Sequence, residues 1–440
     1  MKPIVAIVGR PNVGKSTLFN RMVGARKAIV HGTPGVTRDV NYGDVAVGEG
    51  SFTLVDTGGF VGGEVEELTR KVREQTQLAI EEADIILFIM DVREGLMPVD
   101  EELAGIVRNT SKPVIYGVNK VDGERIAQEI HEFYRLGIDE IIPLSAAHGI
   151  GIGEVMERIT ALLPAQQDFG EEEGGRKVAI VGRPNVGKSS LTNKILGYDR
   201  VVVSEVAGTT TDAIDTPFLY NEQSYVIIDT AGIRRKARVS RKLEEYCVME
   251  AIRSVDRCDV ALLVIDAAEG ITTQDLKIAS LIFDRKRGAL IVVNKWDLVT
   301  GKETGTAEEY EKQLRHRLPF LNYAPLIFVS ALTGQRVGKI LDRTLEVCRQ
   351  MEIKTSTAAL NNLFHQFEAH HRPPAYRGRS VRIKYITQTG IKPPEFTAFV
   401  NIPAGVTDSY KRFLTNRLRD ALGLECSPLK LKFRASGGRS

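Results

Sequence analysis

Two stretches of the 440-residue sequence carry a glycine-rich pattern suited to binding phosphate. Residues 9–16 and 182–189 both read GRPNVGKS, with the spacing GxxxxGKS. Glycines at these positions let a loop wrap around phosphate groups, and its successive backbone N–H groups form an anion-binding nest at the start of a helix. Each copy stands between an apolar run and a helical stretch, so the sequence predicts two phosphate loops rather than chance turns.

The side chains of these loops suggest their roles. We expect Lys15 and Lys188 to reach the β- and γ-phosphates of a nucleotide and to act in catalysis, and Ser16 and Ser189 to bind Mg²⁺. The predicted loop residues are Gly9, Arg10, Pro11, Asn12, Val13, Gly14, Lys15, Ser16 and Thr17 in the first copy, and Gly182, Arg183, Pro184, Asn185, Val186, Gly187, Lys188, Ser189 and Ser190 in the second.

A carboxylate motif follows a later apolar run in each copy. Asp56 and Asp229 suit a carboxylate beside Mg²⁺, and the N–H groups of Gly59 and Gly232 suit a contact with the γ-phosphate during catalysis. The residues assigned to this part of each site are Asp56, Thr57, Gly58, Gly59 and Phe60, and Asp229, Thr230, Ala231, Gly232 and Ile233.

Threonines stand between the two motifs of each copy. Thr37 in GVTRD and Thr210 in GTTTD can bind Mg²⁺ and close over the γ-phosphate, as an order–disorder switch does. Thr209 and Thr211 are alternatives for the second role.

A third motif selects the base. The carboxylates of Asp122 and Asp297 can accept hydrogen bonds from N1–H and the 2-amino group of guanine, a donor pair that adenine lacks. An ATP-binding pocket would leave each carboxylate unpaired, so the sequence predicts GTP and GDP as ligands. The base-binding residues are Asn119, Lys120, Val121, Asp122, Ser145 and Ala146, and Asn294, Lys295, Trp296, Asp297, Ser330 and Ala331.

The order of these motifs reveals a duplication. Gly9 and Gly182 are 173 positions apart, as are Asp56 and Asp229, and the offset grows to 185 at Ser145 and Ser330. Nearly continuous Val- and Ile-rich runs alternate with helical stretches in each copy, a pattern typical of a doubly wound, mostly parallel sheet. We predict an α/β protein with a first nucleotide-binding domain at 1–164, an acidic linker at 165–175, a second domain at 176–352 and a C-terminal domain at 353–440.

The C-terminal segment differs in charge from the rest. Residues 354–440 hold 15 Lys and Arg against 5 Asp and Glu, or +10, whereas the remainder has 44 basic and 51 acidic residues, or −7. Its predicted order is helix, strand, strand, helix, strand, which suggests a compact α+β domain. We expect it to contact an RNA backbone through Arg372, Arg377, Arg379, Lys411, Arg412, Arg417 and Arg419. The alternative is that these residues only form a solubilising surface.

Composition narrows the protein class further. The four cysteines form no CxxC pair, which favours reduced thiols in the cytoplasm. The start of the sequence lacks a secretory pattern, and its longest apolar run is too short to span a membrane. We therefore expect a cytoplasmic protein, a monomer, with no membrane and no DNA partner.

Taken together, these motifs resemble the translation-factor class of P-loop GTPases. The doubled GRPNVGKS, the tandem domains and the basic tail are similar to the EngA/Der family of ribosome-assembly GTPases. The resemblance implies a C-terminal KH-like domain and a GTP-hydrolysing switch that binds rRNA during assembly of the large ribosomal subunit. The alternative is a GTP-dependent factor that remodels or modifies RNA. Residues 354–440 contain no GxxG, the loop with which KH domains clamp RNA.

The catalytic water has no obvious partner in the sequence. Ras-type enzymes place a water-orienting Gln after DxxG, whereas Phe60 and Ile233 stand there, so slow intrinsic turnover is expected. The resemblance implies that a potassium ion compensates, held in part by Asn12 and Asn185. Alternatively, each Asn only stabilises its loop.

A basic segment follows the DTAG motif of the second copy, residues 229–232. Residues 233–242 read IRRKARVSRK, and Arg234, Arg235 and Lys236 are candidates for contact with RNA or with the tail. The alternative is a solvated, charged helix face.

Overall fold

The computed structural model describes most of the chain. The described residues are 2–25, 42–47, 50–57, 73, 76, 77, 79–123, 128–163, 175–198, 201–203, 215–229 and 244–436. They form two compact units, the first with one sheet and the second with two.

The apolar runs of the first copy form a six-stranded sheet. Its strands are β1 (Ile4–Val8), β2 (Tyr42–Val47), β3 (Gly50–Asp56), β4 (Ile85–Asp91), β5 (Val114–Asn119) and β6 (Ile142–Pro143), and the helices beside them are α1 (Lys15–Ala25), α2 (Pro98–Arg108) and α3 (Ile152–Leu162). A 3-10 helix spans Gln128–Leu136. The strand order is β2-β3-β1-β4-β5-β6, and all pairings are parallel except β2 with β3.

The second copy forms a seven-stranded sheet of the same design. Its strands are β7 (Arg176–Val181), β8 (Val201–Val203), β9 (Thr216–Tyr220), β10 (Gln223–Ile227), β11 (Val260–Asp266), β12 (Gly288–Asn294) and β13 (Leu326–Phe328). The helices are α4 (Lys188–Leu196), α5 (Glu244–Arg257), α6 (Thr273–Asp284), α7 (Thr306–Arg317) and α8 (Gly338–Met351), with 3-10 helices at Trp296–Leu298 and Pro319–Leu321. The order is β13-β12-β11-β7-β10-β9-β8, and all pairings are parallel except β8 with β9 and β9 with β10.

These sheets confirm the predicted α/β class. The Val- and Ile-rich runs of each copy form the parallel strands. Every residue of β4, β11 and β12 is buried, as expected for a sheet covered on both faces. Strands β2, β8 and β9 were not among the predicted runs. In the parallel register, Ile7 lies opposite Asp56, and Asp91 opposite Asn119. The strands therefore bring their motifs to one edge of the sheet.

The tail folds in the predicted helix, strand, strand, helix, strand order. The elements are α9 (Thr357–His370), β14 (Ile383–Gly390), β15 (Glu395–Val400), α10 (Asp408–Leu422) and β16 (Lys430–Ala435), with a 3-10 helix at Pro403–Gly405. Strand β15 is central, antiparallel to β14 and parallel to β16. Leu360 and Phe364 of α9 and Leu414 of α10 pack with Phe396 and Val400 of β15 in one buried cluster, so both helices cover the same face of the sheet.

The tail domain contacts the second nucleotide-binding domain within the second compact unit. The guanidinium of Arg419 on α10 lies 4.9 Å from the ring centroid of Tyr323, which precedes β13. It also donates to the carbonyls of Leu424 and Ser427, at 2.7 and 2.6 Å. This side chain therefore joins α10, the segment after it and the neighbouring domain.

Replacing Arg419 by alanine should destabilise the tail. The change leaves two carbonyls without a charged donor, and a hydrogen bond from a charged group contributes about 1.5–3 kcal/mol. We expect faster hydrogen exchange in peptides covering 383–435, measured by mass spectrometry, and a lower calorimetric Tm. Arg417→Ala is the matched control, because Arg417 lies on the same helix and is exposed; its expected effect is within about 0.5 kcal/mol. Equal effects of the two substitutions would contradict the assignment.

Candidate functional site

The two phosphate loops adopt the same strained conformation. Gly14 and Gly187 both have φ of +96°, in the left-handed region. A Cβ at either position would overlap the side-chain amide of an asparagine, Asn119 or Asn294. Only glycine fits here, because the loop passes directly against the residue that begins the base-binding motif.

The side-chain ammonium group of each loop lysine is hydrogen-bonded to the backbone of its own loop. Lys15 Nζ donates to the carbonyls of Gly9 and Arg10, both at 2.8 Å, and Lys15 is buried. Lys188 makes the equivalent bonds at 2.7 and 3.1 Å. Each ammonium group is thus fixed beside the backbone nest, where it can neutralise phosphate charge.

The arginine of each loop anchors it to a helix later in the chain, α2 in the first copy and α6 in the second. Arg10 pairs with Asp100 at 3.1 Å and with Glu94, and Arg183 pairs in the same way with Asp275 and Glu269. Asp100 and Asp275 are fully buried, and burial raises the pKa of both carboxyls.

Each of these carboxylates also accepts from a backbone N–H at the start of its helix. Asp100 accepts from Met97 at 3.2 Å, and Asp275 accepts from Thr272 at 2.9 Å. These partners were not predicted from the sequence, although an acidic residue at the third helical position is a known capping signal.

The first copy brings the predicted Mg²⁺ ligands together. Ser16 Oγ, in the first turn of α1, donates to Asp56 Oδ2 at 2.6 Å at the end of β3. Hydroxyl and carboxylate oxygens are ligands that Mg²⁺ prefers, so the donor set fits the ion.

The second copy differs around its aspartate. Asp229 has φ of +59°, and its N–H donates to Asp215 at 3.0 Å. Asp215 is itself paired with Arg257 at the end of α5. An ion pair therefore holds the backbone of the second DTAG motif at its first residue.

One asparagine in each copy joins the phosphate loop to the base-binding loop. Asn119 Nδ2 donates to the Val13 carbonyl at 2.7 Å, and its Oδ1 accepts from the Ala146 N–H at 2.9 Å. Asn294 makes the same two bonds, at 2.8 and 2.9 Å, in the second copy. Three segments that are far apart in sequence thus meet at a single buried amide.

The lysine of each base-binding motif pairs with a carboxylate at the end of a strand. Lys120 Nζ lies 2.5 Å from Asp91 at the end of β4, and Lys295 Nζ lies 2.6 Å from Asp266 at the end of β11. Burial of Asp266 opposes ionisation, but hydrogen bonds led by Lys295 outweigh it, so its pKa is lowered. Asp91 and Asp266 were not identified from the sequence.

The carboxylates predicted to select guanine differ between the copies. Ser145 Oγ donates to Asp122 at 2.6 Å, and Arg93 pairs with the other carboxylate oxygen. The hydrogen bond from Ser145 lowers the pKa of Asp122, and the pairing with Arg93 lowers it further.

The second copy lacks this arginine. The first copy reads DVREG and the second DAAEG, so Ala268 stands where the first copy has Arg93. Asp297 has no side-chain hydrogen bond or ion pair with any residue that the structure describes.

Several predicted residues lie outside the described part of the chain. They are Thr37, Gly58, Gly59, Phe60, Thr209, Thr210, Thr211, Thr230, Ala231, Gly232, Ile233, Arg234, Arg235 and Lys236, together with the linker residues 165–174. The γ-phosphate and switch contacts assigned to them therefore remain predictions.

The basic residues of the tail fall into two groups. Arg419 is engaged within the chain, as described above, and is left out of any RNA-binding surface. Lys411 pairs with Asp408 at 2.9 Å. The exposed members are Arg372, Arg377, Arg379, Arg412 and Arg417. Among the described residues, no helix is both long and apolar enough to cross a lipid bilayer.

Comparisons with known proteins agree with this geometry. A family model described as 50S ribosome-binding GTPase matches residues 4–120 and 177–295. A second model, the KH-domain-like C-terminal domain of EngA bacterial GTPase enzymes, matches residues 354–434.

Relatives match over almost the whole chain. The protein named GTPase Der from Syntrophotalea carbinolica is 49% identical over 437 residues, covering 99% of both chains. GTPase Der from Trichlorobacter lovleyi is 50% identical over 434 residues, covering 99% of this chain and 96% of its own.

Solved structures match more weakly. A variant of Era from Aquifex aeolicus bound to GDP and aluminium fluoride is 26% identical, covers 58% of this chain and 87% of its own, and has a TM-score of 0.31. So low a score establishes no shared arrangement of the whole chain, and the sequence matches identify the family.

Replacing Arg93 by alanine should tighten guanine nucleotide binding in the first pocket. The arginine competes with guanine N–H groups for the Asp122 carboxylate, and an exposed ion pair contributes up to about 1 kcal/mol, so the gain is at most about fivefold. Titration with a fluorescent GDP analogue, in a Lys188→Ala background that silences the second site, measures it.

The second pocket provides the control. Ala268→Arg, in a Lys15→Ala background, should weaken binding there by a similar factor. Weaker binding after Arg93→Ala would show instead that the arginine orients Asp122 for the base.

Proposed function

This chain belongs to the EngA/Der family of GTPases, and on that premise we propose that it is a GTP-controlled switch that binds ribosomal RNA in assembly of the large ribosomal subunit. The enzyme class itself is established by the family: the chain hydrolyses GTP. In the proposal it acts as a cytoplasmic monomer.

The observation that carries the proposal is the combination of two sets of guanine-nucleotide motifs with a strongly basic KH-like tail. Both pockets keep the loop lysine, the bridging asparagine and the base-selecting carboxylate. The tail has a charge of +10, and seven of its described arginines are exposed. Such a surface suits phosphate backbones, whose contacts give salt-dependent binding with weak sequence preference.

We further propose how the described residues act in hydrolysis. Lys15 and Lys188 stabilise negative charge on the β- and γ-phosphates, which increases as the bond to the leaving group breaks. Ser16 with Asp56, and Ser189 with Asp229, would hold Mg²⁺, which would supply positive charge beside the phosphate oxygens. Neither Phe60 nor Ile233 can orient water through a side-chain hydrogen bond, so intrinsic turnover is slow.

The loop asparagines are the candidates for holding potassium. Asn12 and Asn185 are exposed, and within the described residues their side-chain amides make no hydrogen bond. Their backbones have φ of +65° and +64°, which Asn tolerates better than most residues. Each asparagine can thus shape the loop through its backbone while its carbonyl oxygen stays available to a cation. A monovalent cation held there would supply positive charge beside the phosphates.

Asn12→Gly should separate these two roles. Glycine adopts positive φ readily, so the loop and GDP affinity should persist, whereas the amide oxygen is lost. Both proteins carry Lys188→Ala to silence the second site, and the protein with Asn12 intact is the parent. We expect the parent to turn over at least about tenfold faster in potassium than in sodium, a difference of about 1.4 kcal/mol in activation free energy. The variant should show no difference between the salts. Equal turnover of the parent in the two salts would exclude the potassium role.

The ribosomal proposal is tested by co-sedimentation with purified ribosomal subunits. We expect the full chain to pellet with the large subunit in a non-hydrolysable GTP analogue and to be released in GDP, with potassium and Mg²⁺ present. The small subunit serves as the control for non-specific RNA binding. Failure to pellet with the large subunit in either nucleotide state would remove the ribosome from the proposal and leave a tandem GTPase with another polyanionic partner.

A further inference from the structure

The tail sheet has an outer face that its helices do not cover. The residues of β15 that pack with α9 and α10 are Phe396, Ala398 and Val400, so the side chains between them point to the other side. Phe399 lies there, opposite Tyr385 of β14 and Arg434 of β16 in the strand register. We call this row of Tyr385, Phe399 and Arg434 the aromatic sheet face.

A bulge in β14 builds this face. Ile383 pairs with Val400, and Tyr385 then pairs with Phe399, so two residues of β14, Lys384 and Tyr385, stand opposite one of β15. Bulges of this kind redirect side chains and are common beside functional sites. The two aromatic rings stack with centroids 4.5 Å apart at an angle of 17°. Tyr385 nevertheless remains 43% exposed.

The charges around the stacked rings are positive and unpaired. Lys384 and Arg434 are both exposed, and neither forms an ion pair with any residue the structure describes. Glu395, the acidic residue in the three strands, is already engaged by Lys432 at 2.6 Å and by Thr389 at 3.2 Å. The face therefore combines an open aromatic ring with free cations.

We propose that the aromatic sheet face binds single-stranded RNA, with a base stacked on Tyr385 and adjacent phosphates on Lys384 and Arg434. This inference rests on the proposed function, in that the tail is taken to bind RNA, and it names a surface for that binding. Aromatic platforms flanked by basic groups hold single strands because every base has a π-face and every nucleotide a phosphate. Double-stranded RNA does not fit, because its bases are already stacked on one another. The absence of GxxG from the tail is no obstacle, since the strands supply the platform.

The test is binding of a fluorescein-labelled oligouridine of about ten nucleotides to the full chain, followed by anisotropy over a series of KCl concentrations. Tyr385→Ala should weaken binding at least about fivefold at every salt concentration without changing the salt slope, because stacking releases no counterions. Tyr385→Phe should bind as the wild type. Arg434→Ala should reduce the slope by about 0.7, the value for one phosphate contact to a single strand.

Two further variants serve as a control and as a substitute. Tyr134→Ala removes a similarly exposed tyrosine, 42% exposed, from the first nucleotide-binding domain and should leave oligouridine binding unchanged. Tyr385→Val, with a β-branched residue favoured in strands, replaces Tyr385→Ala should that variant lose its fold by circular dichroism.

The outcomes separate this inference from the ribosomal role. Unchanged oligouridine binding by folded Tyr385→Ala or Tyr385→Val overturns the inference, and so does a change equal to that of Tyr134→Ala. A Tyr385 variant that loses large-subunit binding but keeps oligouridine binding shows a protein contact and also overturns it. If the wild type binds oligouridine through Tyr385 but no ribosomal subunit, the surface stands and the ribosomal role fails. If the wild type pellets with the large subunit but binds no oligouridine, the reverse holds.

Discussion

Each nucleotide pocket depends on one buried amide. The side chain of Asn119, like that of Asn294, donates to the phosphate loop and accepts from the base-binding loop, so the two halves of the pocket cannot move independently. Parallel strands make this possible, because they deliver all three segments to the same edge of the sheet. The strained glycine that faces the amide follows from the same constraint, since a side chain there would displace it.

The duplication keeps this framework and varies its rim. In both copies a buried aspartate pairs with the loop arginine and caps the start of its own helix. This pairing holds the phosphate loop in place without a bound ligand. The differences lie further out. Arg93 neutralises the base-selecting carboxylate of the first copy, whereas Asp215 and Arg257 hold the start of the DTAG motif in the second. Two pockets with the same chemistry can therefore differ in affinity and timing.

The sequence predicted most of the fold and the motifs of the site, because both depend on local patterns. Apolar runs predicted the parallel strands, and short motifs predicted segments that the structure brings to one edge of each sheet, while the nucleotide contacts assigned to them stay predictions. The partners of those residues were missed where pairing is non-local: Asp100 lies 90 positions from Arg10, and no spacing rule links them. For the same reason, the sequence could not show that Arg419 is engaged within the chain while Arg417, two residues away, is exposed.

The placement of charge explains why the copies diverge at the rim and not in the loop. A buried carboxylate such as Asp100 or Asp275 is stable only with its partner in place, and removing one member of such a pair leaves an uncompensated buried charge. Changes to the loop arginine or to its aspartate are therefore severely destabilising. Exposed pairs such as Arg93 with Asp122 contribute little to folding. Such exposed pairs can be lost, as in the second copy, where Ala268 replaces the arginine. Nucleotide affinity can then change while the fold of the pocket stays the same.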